Sequence, residues 1–426
     1  MLSPETLDFA WQHRGDDTAR LLLGKVPEGV DVRLAAQQIE GWQTARQKWP
    51  SLAANPLFLY PPRLNREQAS SEATAAYKAS LAGSIIARLD ASNSVPPRGG
   101  TGGVSPVSIA DLTGGMGVDT MALATLPVHV DYFELNPDLC DLMRRNADIL
   151  GLNNIAVHNT DSLATNAPAC PPSNVPGGSV AGKGFAFALI DPARRDAAGR
   201  RVAAFEDCSP DILAAMPRLQ AMTQHLMIKA SPMVDIAEAF KQLPPVSELH
   251  IVALRGECKE LLFLIDTAAE AVEPTIHCVN LQGPSAPFVY RPSEAAAATA
   301  QIADTSVLPR YLYEPDATIM KAGCHALVAS RFGLAMLSHN SHIYSSMQRV
   351  EGFPGRCFEV VAEVAPTRRA LAPLLPDWRA NVISRNHPLG ADALRRQLRL
   401  ADGGEHYLIA TSVVRPTAYL CLRVMG

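Results

Sequence analysis

Residues 109–119 read Ile109-Ala110-Asp111-Leu112-Thr113-Gly114-Gly115-Met116-Gly117-Val118-Asp119, and Glu134 follows in Val130-Asp131-Tyr132-Phe133-Glu134-Leu135-Asn136. An apolar strand runs into a glycine turn, a helix follows, and a second strand ends in an acid. This is the pattern of the first βαβ unit of a nucleotide-binding sheet. Glycines let backbone pass close to a ligand where a Cβ would clash. An acid at the end of the second strand can accept two ribose hydroxyls. The competing reading is a glycine turn with a purely structural role.

A dinucleotide site calls for G-x-G-x-x-G. Here Gly115-Met116-Gly117 is followed by Val118, Asp119 and Thr120, so the third glycine is absent. The turn also begins with Asp111, whose carboxylate would repel a pyrophosphate but suits the ammonium of an amino-acid moiety. The pattern therefore favours S-adenosylmethionine over NAD.

Outward from this unit the alternation continues. Ile155–Ser162 reads as a third strand ending in Asp161-Ser162, a polar pair suited to an adenine edge. Phe185–Ile190 is a continuous apolar run, as expected of a strand buried on both faces, and it ends in Asp191-Pro192-Ala193-Arg194. His225–Lys229 repeats the strand pattern. Helices are expected over Pro137–Leu150, Pro210–Leu219 and Val234–Leu243, and strands near 248–254 and 260–265 would close the sheet as an antiparallel pair. Alternating strands and helices imply an α/β fold with a Rossmann-like, doubly wound parallel sheet. Its ligand belongs beyond the carboxyl ends of the strands, where Asp111, Glu134, Asp161 and Asp191 all fall.

Residues 1–90 read as a helical N-terminal region. Asp31 can cap a helix carrying Leu34, Ile39, Trp42 and Trp49. Ser70 or Ser71 can cap another, with Tyr77, Leu81, Ile85 and Leu89 four apart. Residues 107–270 form the expected Rossmann-like domain, 271–306 a small linking region with a helix over Glu294–Ala303, and 307–426 a small α+β domain. Gly/Ser/Pro-rich 92–106 and Ala/Pro/Gly-rich 165–184 read as mobile loops. In the last domain the pattern is strand Phe358–Val364, helix Arg369–Leu375, strand Asn381–Ser384, helix Asp392–Leu400, then strands His406–Thr411 and Ala418–Val424.

Of 426 residues, 47% are hydrophobic and 19% charged, the balance of a globular protein, with a net charge of −4. Residues 307–426 carry fourteen basic groups against nine acids, +5, while the remainder carries −9. Such asymmetry hints at nucleic acid; ordinary solvated arginines are the alternative. Arg395, Arg396 and Arg399 sit at helical spacings that place at least two on one face. Met1-Leu2-Ser3-Pro4-Glu5 lacks a basic head and an apolar core, so no signal peptide is expected. No apolar run is long enough to predict a membrane span. The eight cysteines are scattered without a C-x-x-C, which fits reduced thiols in a cytoplasm and argues against structural zinc. His339 and His342 lack a third neighbouring ligand, and no metal is expected.

The whole chain resembles the bacterial class I methyltransferases that carry a C-terminal THUMP-like domain. The matching segments are Ser70-Ser71-Glu72 with Tyr77-Lys78, the Asp111–Asp119 turn, Phe133-Glu134-Leu135-Asn136, Asp191-Pro192-Ala193-Arg194-Arg195-Asp196, Glu206-Asp207-Cys208-Ser209-Pro210-Asp211 and Lys229-Ala230-Ser231-Pro232. The last are Tyr313-Glu314-Pro315-Asp316, Phe353-Pro354-Gly355-Arg356 and Arg385-Asn386-His387-Pro388-Leu389. The resemblance implies S-adenosylmethionine binding and an RNA substrate, tRNA or rRNA. Against D-x-G-x-G-x-G, Thr113 replaces the first glycine, which changes the local cradle.

The expected cofactor residues are Asp111, Thr113, Gly115, Gly117, Glu134, Asn136, Asp161 and Ser162. Methyl transfer from a sulfonium is an in-line displacement, so the protein chiefly positions the nucleophile and manages its proton. Asp191, ending the fourth strand, is the candidate for that proton; a turn-forming Asp before Pro192 is the alternative. D-P-A-R resembles the D/N-P-P-x loop of nucleobase methyltransferases, but Ala193 replaces the second proline and Arg194 stands where amine methylators place an aromatic. Arg194 and Arg195 can clamp a phosphate or stack on a base. Lys229 can contact substrate phosphate or pair with an acid. Candidate catalytic residues are thus Asp191, Arg194 and Lys229; candidate substrate-binding residues are Tyr77, Lys78, Arg195, Arg395, Arg396 and Arg399. Cys208 resembles the nucleophile of pyrimidine C5 methylation, yet Ser209 as N-cap with Pro210 at the first helical position explains the same stretch. A small-molecule or protein methyltransferase, and a non-catalytic RNA-binding protein, are the rival readings.

Overall fold

The computed structural model describes residues 2–92, 107–164, 184–193, 205–206, 208–283, 286–304 and 306–424. The two loop expectations fall, but for their end residues, outside these, as do Arg194 and Arg195. The chain forms two units, Met1–Val246 with Leu262–Ala271, and Ser247–Leu261 with Val272–Gly426.

The first unit is built on five parallel strands: β1 (Ser108–Asp111), β2 (His129–Phe133), β3 (Ile155–His158), β4 (Phe185–Ile190) and β5 (Thr223–Ala230), in the order β3-β2-β1-β4-β5. The chain starts at the centre, winds outward one way, then crosses over and winds the other way. The crossover leaves a crevice beyond the carboxyl ends of β1 and β4. Register brings those ends level, since Asp111 pairs with Tyr132 on one side and Leu189 on the other. All six residues of β4 are buried, as its unbroken apolar run requires.

Helices from the N-terminal region pack onto the first βαβ unit. Asp31 caps helix Val32–Lys48 through the N–H groups of Arg33 and Leu34, both at 3.0 Å. Ser71 Oγ accepts from Thr74 N at the start of helix Glu72–Ser92. Trp49, Phe58 and Tyr60 share one buried cluster with Met116, Met121, Tyr132 and Met143. Asn146, fully buried, exchanges two 2.9 Å bonds with the backbone of Leu59. Polar and apolar contacts alike thus seat the N-terminal helices against the glycine turn.

Several expected boundaries move. The third strand stops at His158, because Asp161 turns back to accept Leu163 N at 2.8 Å. The expected Pro210 helix begins at Ile212 instead, capped by Asp211, and runs to Met222. Ser209 cannot be its cap, because its backbone is held by a two-way bridge to Ala193. The helix expected at Val234 begins at Ile236 after the Asp235 cap.

In the second unit β6 (Glu248–Leu254) and β7 (Glu257–Asp266), which runs on into the first unit, meet at Arg255-Gly256. Both turn residues have positive φ, 55° and 78°, as a tight hairpin turn requires. β8 (Thr275–Asn280) pairs parallel with β6 and antiparallel with β9 (Phe288–Tyr290). Residues read as linker therefore contain strands. The helix expected over Glu294–Ala303 spans only Pro292–Ala297, because Gln301–Ile302 pairs as β10 with Ala335–Met336.

The remaining strands are β11 (Tyr311–Pro315), β12 (Ala335–Met336), β13 (Tyr344–Ser346), β14 (Gly355–Val364), β15 (Asn381–Ser384), β16 (His406–Ser412) and β17 (Pro416–Val424). With β10 they form an eight-stranded sheet in the order β10-β12-β13-β11-β14-β17-β16-β15. Its helices are short: the one expected over Arg369–Leu375 is Arg368–Leu371, and the one expected over Asp392–Leu400 is Ala391–Leu398, with Arg399 left-handed at its end. Leu371, Leu375, Leu394 and Leu398 pack on Leu408 and Leu420 of the sheet.

Candidate active site

The turn after β1 is held from both sides. Gly114 N donates to Phe133 O at 2.8 Å, and Tyr132 Oη donates to Gly115 O at 2.6 Å. A Cβ on Gly114 would lie 2.0 Å from the Tyr132 ring, and one on Gly117 2.5 Å from Met143 Sδ. Gly115 and Gly117 also have φ of +55° and +83°, which a side chain resists. The turn thus runs flush against β2 and carries Glu134 beside it. Glu134 accepts Gly115 N at 2.9 Å through Oε2 and Asn136 N at 2.8 Å through Oε1. Two backbone donors fix its carboxylate, and each oxygen keeps a further lone pair. Gly114→Ala is expected to push Tyr132 off the turn and cost about 1–3 kcal/mol, measurable by thermal or urea unfolding.

Beneath the turn lies a set of buried charges. Asp111, 2% exposed, accepts from Thr120 Oγ1 at 2.6 Å and from Thr113 N at 3.2 Å. Burial is the main reason its carboxyl is pushed up to about 7; Thr120 opposes the rise, and Asp119 adds to it. Asp119 is buried as well, yet Lys78 and Lys229 outweigh that burial and hold it below the usual range. Lys78 Nζ sits 2.9 Å from Asp119 Oδ1 and donates to Ser70 Oγ at 2.7 Å; Ser70 Oγ in turn donates to Asp119 Oδ2 at 2.7 Å. Lys229, 3% exposed, is ion-paired with Asp191 at the mouth of the strands.

These groups border a cavity of about 810 Å³, within the range of small-molecule sites. Asp111, Thr113, Gly115, Gly117, Glu134, Asn136, Asp161, Ser162 and Asp191 all line it, so the expected cofactor residues converge on one space. Ser162 is anchored by donating to Leu112 O, Asn136 caps helix Pro137–Leu150, and Asp191 N donates to Thr113 Oγ1 at 2.7 Å. Lys229 stands behind Asp191 rather than on the cavity wall. On the far side, Ala193 N donates to Ser209 O at 2.8 Å and Ser209 N to Ala193 O at 3.1 Å. The D-P-A stretch and the C-S-P stretch therefore brace each other, and Ser209 and Pro210 line the cavity while Cys208 does not.

Other expected residues lie elsewhere. Lys78 is 1% exposed and engaged with Asp119 and Ser70, so a direct contact with substrate is replaced by an internal ion pair. Tyr77 is half-buried and off the cavity wall. Arg395 is paired with Asp392 at 2.8 Å and Asp402 at 3.1 Å, while Arg396 and Arg399 are exposed. Residues missed by sequence reasoning include Asn65, Glu67 and Gln68, from the short helix Arg63–Gln68 that walls the cavity, Asp119 on the same wall, and Thr120, which donates to Asp111. Asp119 stood inside the quoted turn, and its place one residue into the helix was the available signal. Among the described residues the only His/Cys/Asp/Glu group near metal-ligand spacing is Glu248, His250 and His277 in the second unit, outside this cavity.

A parallel sheet wound both ways around a strand-end cavity, with an acid after each of its first strands, has the fold of a methyltransferase, and the C-terminal residues carry a THUMP-like domain. The chain is similar over its full length to the crystal structure of a proposed methyltransferase from Porphyromonas gingivalis W83, with 28% identity, 100% of each chain covered and a TM-score of 0.79. Residues 311–354 match a family of ferredoxin-like domains and residues 355–423 a family described as THUMP domain-like. Two further solved structures are a predicted O-methyltransferase from Agrobacterium tumefaciens (18% identity, 44% of this chain, 88% of that one, TM-score 0.31) and an rRNA methylase from Streptococcus thermophilus (14%, 44%, 93%, TM-score 0.28). No curated protein matches the chain.

Proposed function

We propose that the chain is an S-adenosylmethionine-dependent methyltransferase acting on a nucleotide of structured RNA, tRNA or rRNA. The observation that carries the reading is the single cavity in which Glu134, the glycine turn, Asp111, Asp161 and Asp191 meet. Its charges suit that cofactor. Among the described residues Asp111, Asp119 and Asp191 are answered by Lys78 and Lys229, and Glu67, Glu134 and Asp161 add further carboxylates to the wall, so the cavity favours a cation. S-adenosylmethionine, with an ammonium, a carboxylate and a sulfonium, carries one net positive charge. Glu134 would hold the ribose hydroxyls, Asp111 the amino-acid ammonium, and Asp161 with Ser162 the adenine edge. The cofactor supplies an activated methyl group. Asp191, oriented by Lys229 and by its own N–H on Thr113, would accept the nucleophile's proton. The proposed Arg194 and Arg195 contacts to substrate lie outside the described residues.

The RNA half of the reading rests on the THUMP-like segment and the +5 charge of residues 307–426, with Arg396 and Arg399 as its exposed arginines and Arg395 as a weaker contributor. The division into a helical region, a catalytic domain, a linker and a THUMP-like domain belongs to the same proposal. So does a cytoplasmic location, which the free thiols of the seven described cysteines favour. No helix of the described residues is long and apolar enough to cross a membrane.

Calorimetry with S-adenosylmethionine, then methyl transfer from the labelled cofactor to total RNA, tests both halves. Glu134→Ala is expected to weaken cofactor binding by at least about tenfold, since hydrogen bonds to a charged group contribute about 1.5–3 kcal/mol each. Unchanged affinity would remove Glu134 from the site. Transfer to a protein or small molecule, with none to RNA, would replace the RNA reading.

A pH dependence follows from Asp111. Without cofactor its carboxyl titrates near 7, and only the carboxylate attracts an ammonium. Cofactor affinity should therefore rise with pH below 7, by up to about tenfold per unit for one linked proton, and level off above 7. Asp111→Asn should bind weakly with a flat profile. Affinity that falls as pH rises from 6 to 8 would contradict the assignment.

A further inference from the structure

Three of the motifs quoted from the sequence take no part in the cavity: Tyr313-Glu314-Pro315-Asp316, Phe353-Pro354-Gly355-Arg356 and Arg385-Asn386-His387-Pro388-Leu389. The second unit gathers them on one carboxylate. Glu314 of β11 and Arg356 of β14 are direct cross-strand partners, so sheet register fixes the pair. Gly355 makes the approach feasible, because a Cβ there would lie 2.1 Å from Glu314 O. Arg356 donates to Glu314 Oε2 from Nε at 2.9 Å and also from Nη2. Arg385, just beyond β15, donates from Nη2 to Glu314 Oε1 at 3.0 Å. Glu314 is buried, at 5% exposure, whereas the two arginines are 39% and 37% exposed.

One carboxylate satisfies one guanidinium, so a second leaves a surplus positive charge. The surroundings do not absorb it. Arg385 Nε, His342 Nδ1 and His387 Nε2 are buried atoms with no hydrogen-bond partner among the described residues. His387 Nδ1 lies 3.1 Å from Leu389 N and 3.2 Å from Leu389 O, so the ring is held through Nδ1 and its Nε2 edge is left over. Burial, then the charge of Arg385, keeps His342 below its ordinary range. His342 and Asn386 both adopt left-handed backbone, φ 53° and 52°, without being glycine; such strain gathers at ligand sites. Phe358 and Tyr407 lie beside the Arg356 guanidinium, their ring centroids 5.6 and 5.9 Å away. A purely structural Arg-Glu-Arg cluster would have its donors paired. This one leaves Arg385 Nε over beside a half-exposed pair of guanidinium forks, the arrangement that suits a tetrahedral oxyanion.

We infer that Glu314 holds Arg356 and Arg385 as a two-pronged clamp for a phosphate group of the RNA substrate, an inference that rests on the RNA reading above. The clamp joins the ferredoxin-like segment, which supplies Glu314, to the THUMP-like segment, which supplies both arginines. Here Glu314 is a positioning residue: it sets the spacing and angle of the two forks.

The test is arginine footprinting of the full chain. Protein is treated with phenylglyoxal alone, with inorganic phosphate, or with total tRNA, and modification of Arg356 and Arg385 is read by peptide mass spectrometry. Both probes are expected to protect both arginines, while exposed Arg396 stays reactive under phosphate. Protection by neither probe overturns the clamp, even where the protein binds tRNA by another route. Protection by phosphate, with none by bound tRNA, overturns the RNA source and leaves a site for free phosphate. A chain that binds no tRNA sinks the functional reading, and the phosphate arm alone then decides the clamp. Arg385→Lys keeps a charge beside Glu314 but loses the fork. It should keep the wild-type circular dichroism and lose at least about tenfold in tRNA affinity; wild-type affinity would overturn the proposal.

Discussion

Asp191→Asn should lower turnover by about 10²–10⁴-fold, the usual contribution of a positioned acid–base group, while cofactor affinity changes by no more than a few fold. The split follows from the geometry. Asp191 stands at the mouth of the cavity on the end of β4, and its backbone N–H, which Asn retains, makes the bond to Thr113 Oγ1. The lost group is the carboxylate, held in place by Lys229. Lys229 also feels the charge of Asp119, so the variant does not strand it without a counter-ion. Steady-state kinetics on the proposed RNA substrate, beside calorimetry on the cofactor, separates the two effects. A variant with near-normal turnover would make Asp191 a structural turn residue. Equal losses in cofactor binding and rate would place it against the cofactor instead.

Lys78→Met should destabilise the first unit by about 1.5–3 kcal/mol, the contribution of a hydrogen bond to a charged group. Asp119, 11% exposed at the cavity wall, would lose its 2.9 Å ion pair and keep Ser70 and the charge of Lys229. The double variant Lys78→Met with Asp119→Asn should recover much of the loss, because no ionised carboxyl then remains to be stranded. The sign of the pH effect is fixed as well. Asp119 titrates below its ordinary value in the folded chain, so its stabilisation is present above the unfolded pKa and fades as pH falls through the folded one. Urea unfolding of the wild type and both variants at neutral and acid pH checks these outcomes. A Lys78→Met chain as stable as the wild type would mean the pair contributes nothing.

The parts of this fold that repeat locally were legible from residues alone. The β1 turn, the acid closing β2 and the unbroken apolar run of β4 each fit within one strand-turn-helix unit, where spacing and residue type suffice. Cavity residues such as Asp111, Glu134 and Asp161 could be named because strand ends in a doubly wound sheet must face one side. What escaped depends on chain brought from afar. The wall from Asn65 to Gln68 has no motif of its own; Trp49, whose indole donates to Ser70 O at 2.6 Å, helps to seat it. The place of Lys78 on the last helix before the sheet suggests a contact at the site, but the packing of that helix on Val118–Leu123 buries it. The helix starts at 212 for a related reason: Ser209 is drawn into a backbone bridge with Ala193, and Asp211 caps the helix instead by accepting Ala214 N. The Glu314 cluster was present only as three unconnected motifs, since cross-strand register is invisible in single segments.

Thr113 occupies the position where the commonest methyltransferase turn has glycine, and its hydroxyl oxygen receives the N–H of Asp191. The turn expected to cradle the cofactor is thereby wired to the residue expected to meet the substrate. Whatever settles the first also sets the second, so the two ligands should not arrive independently. Initial-rate patterns should be those of an ordered mechanism, with S-adenosylmethionine entering first and S-adenosylhomocysteine competing only with it. Thr113→Gly would restore the commoner turn and cut the wire, and its kinetic signature should be random entry of the two substrates.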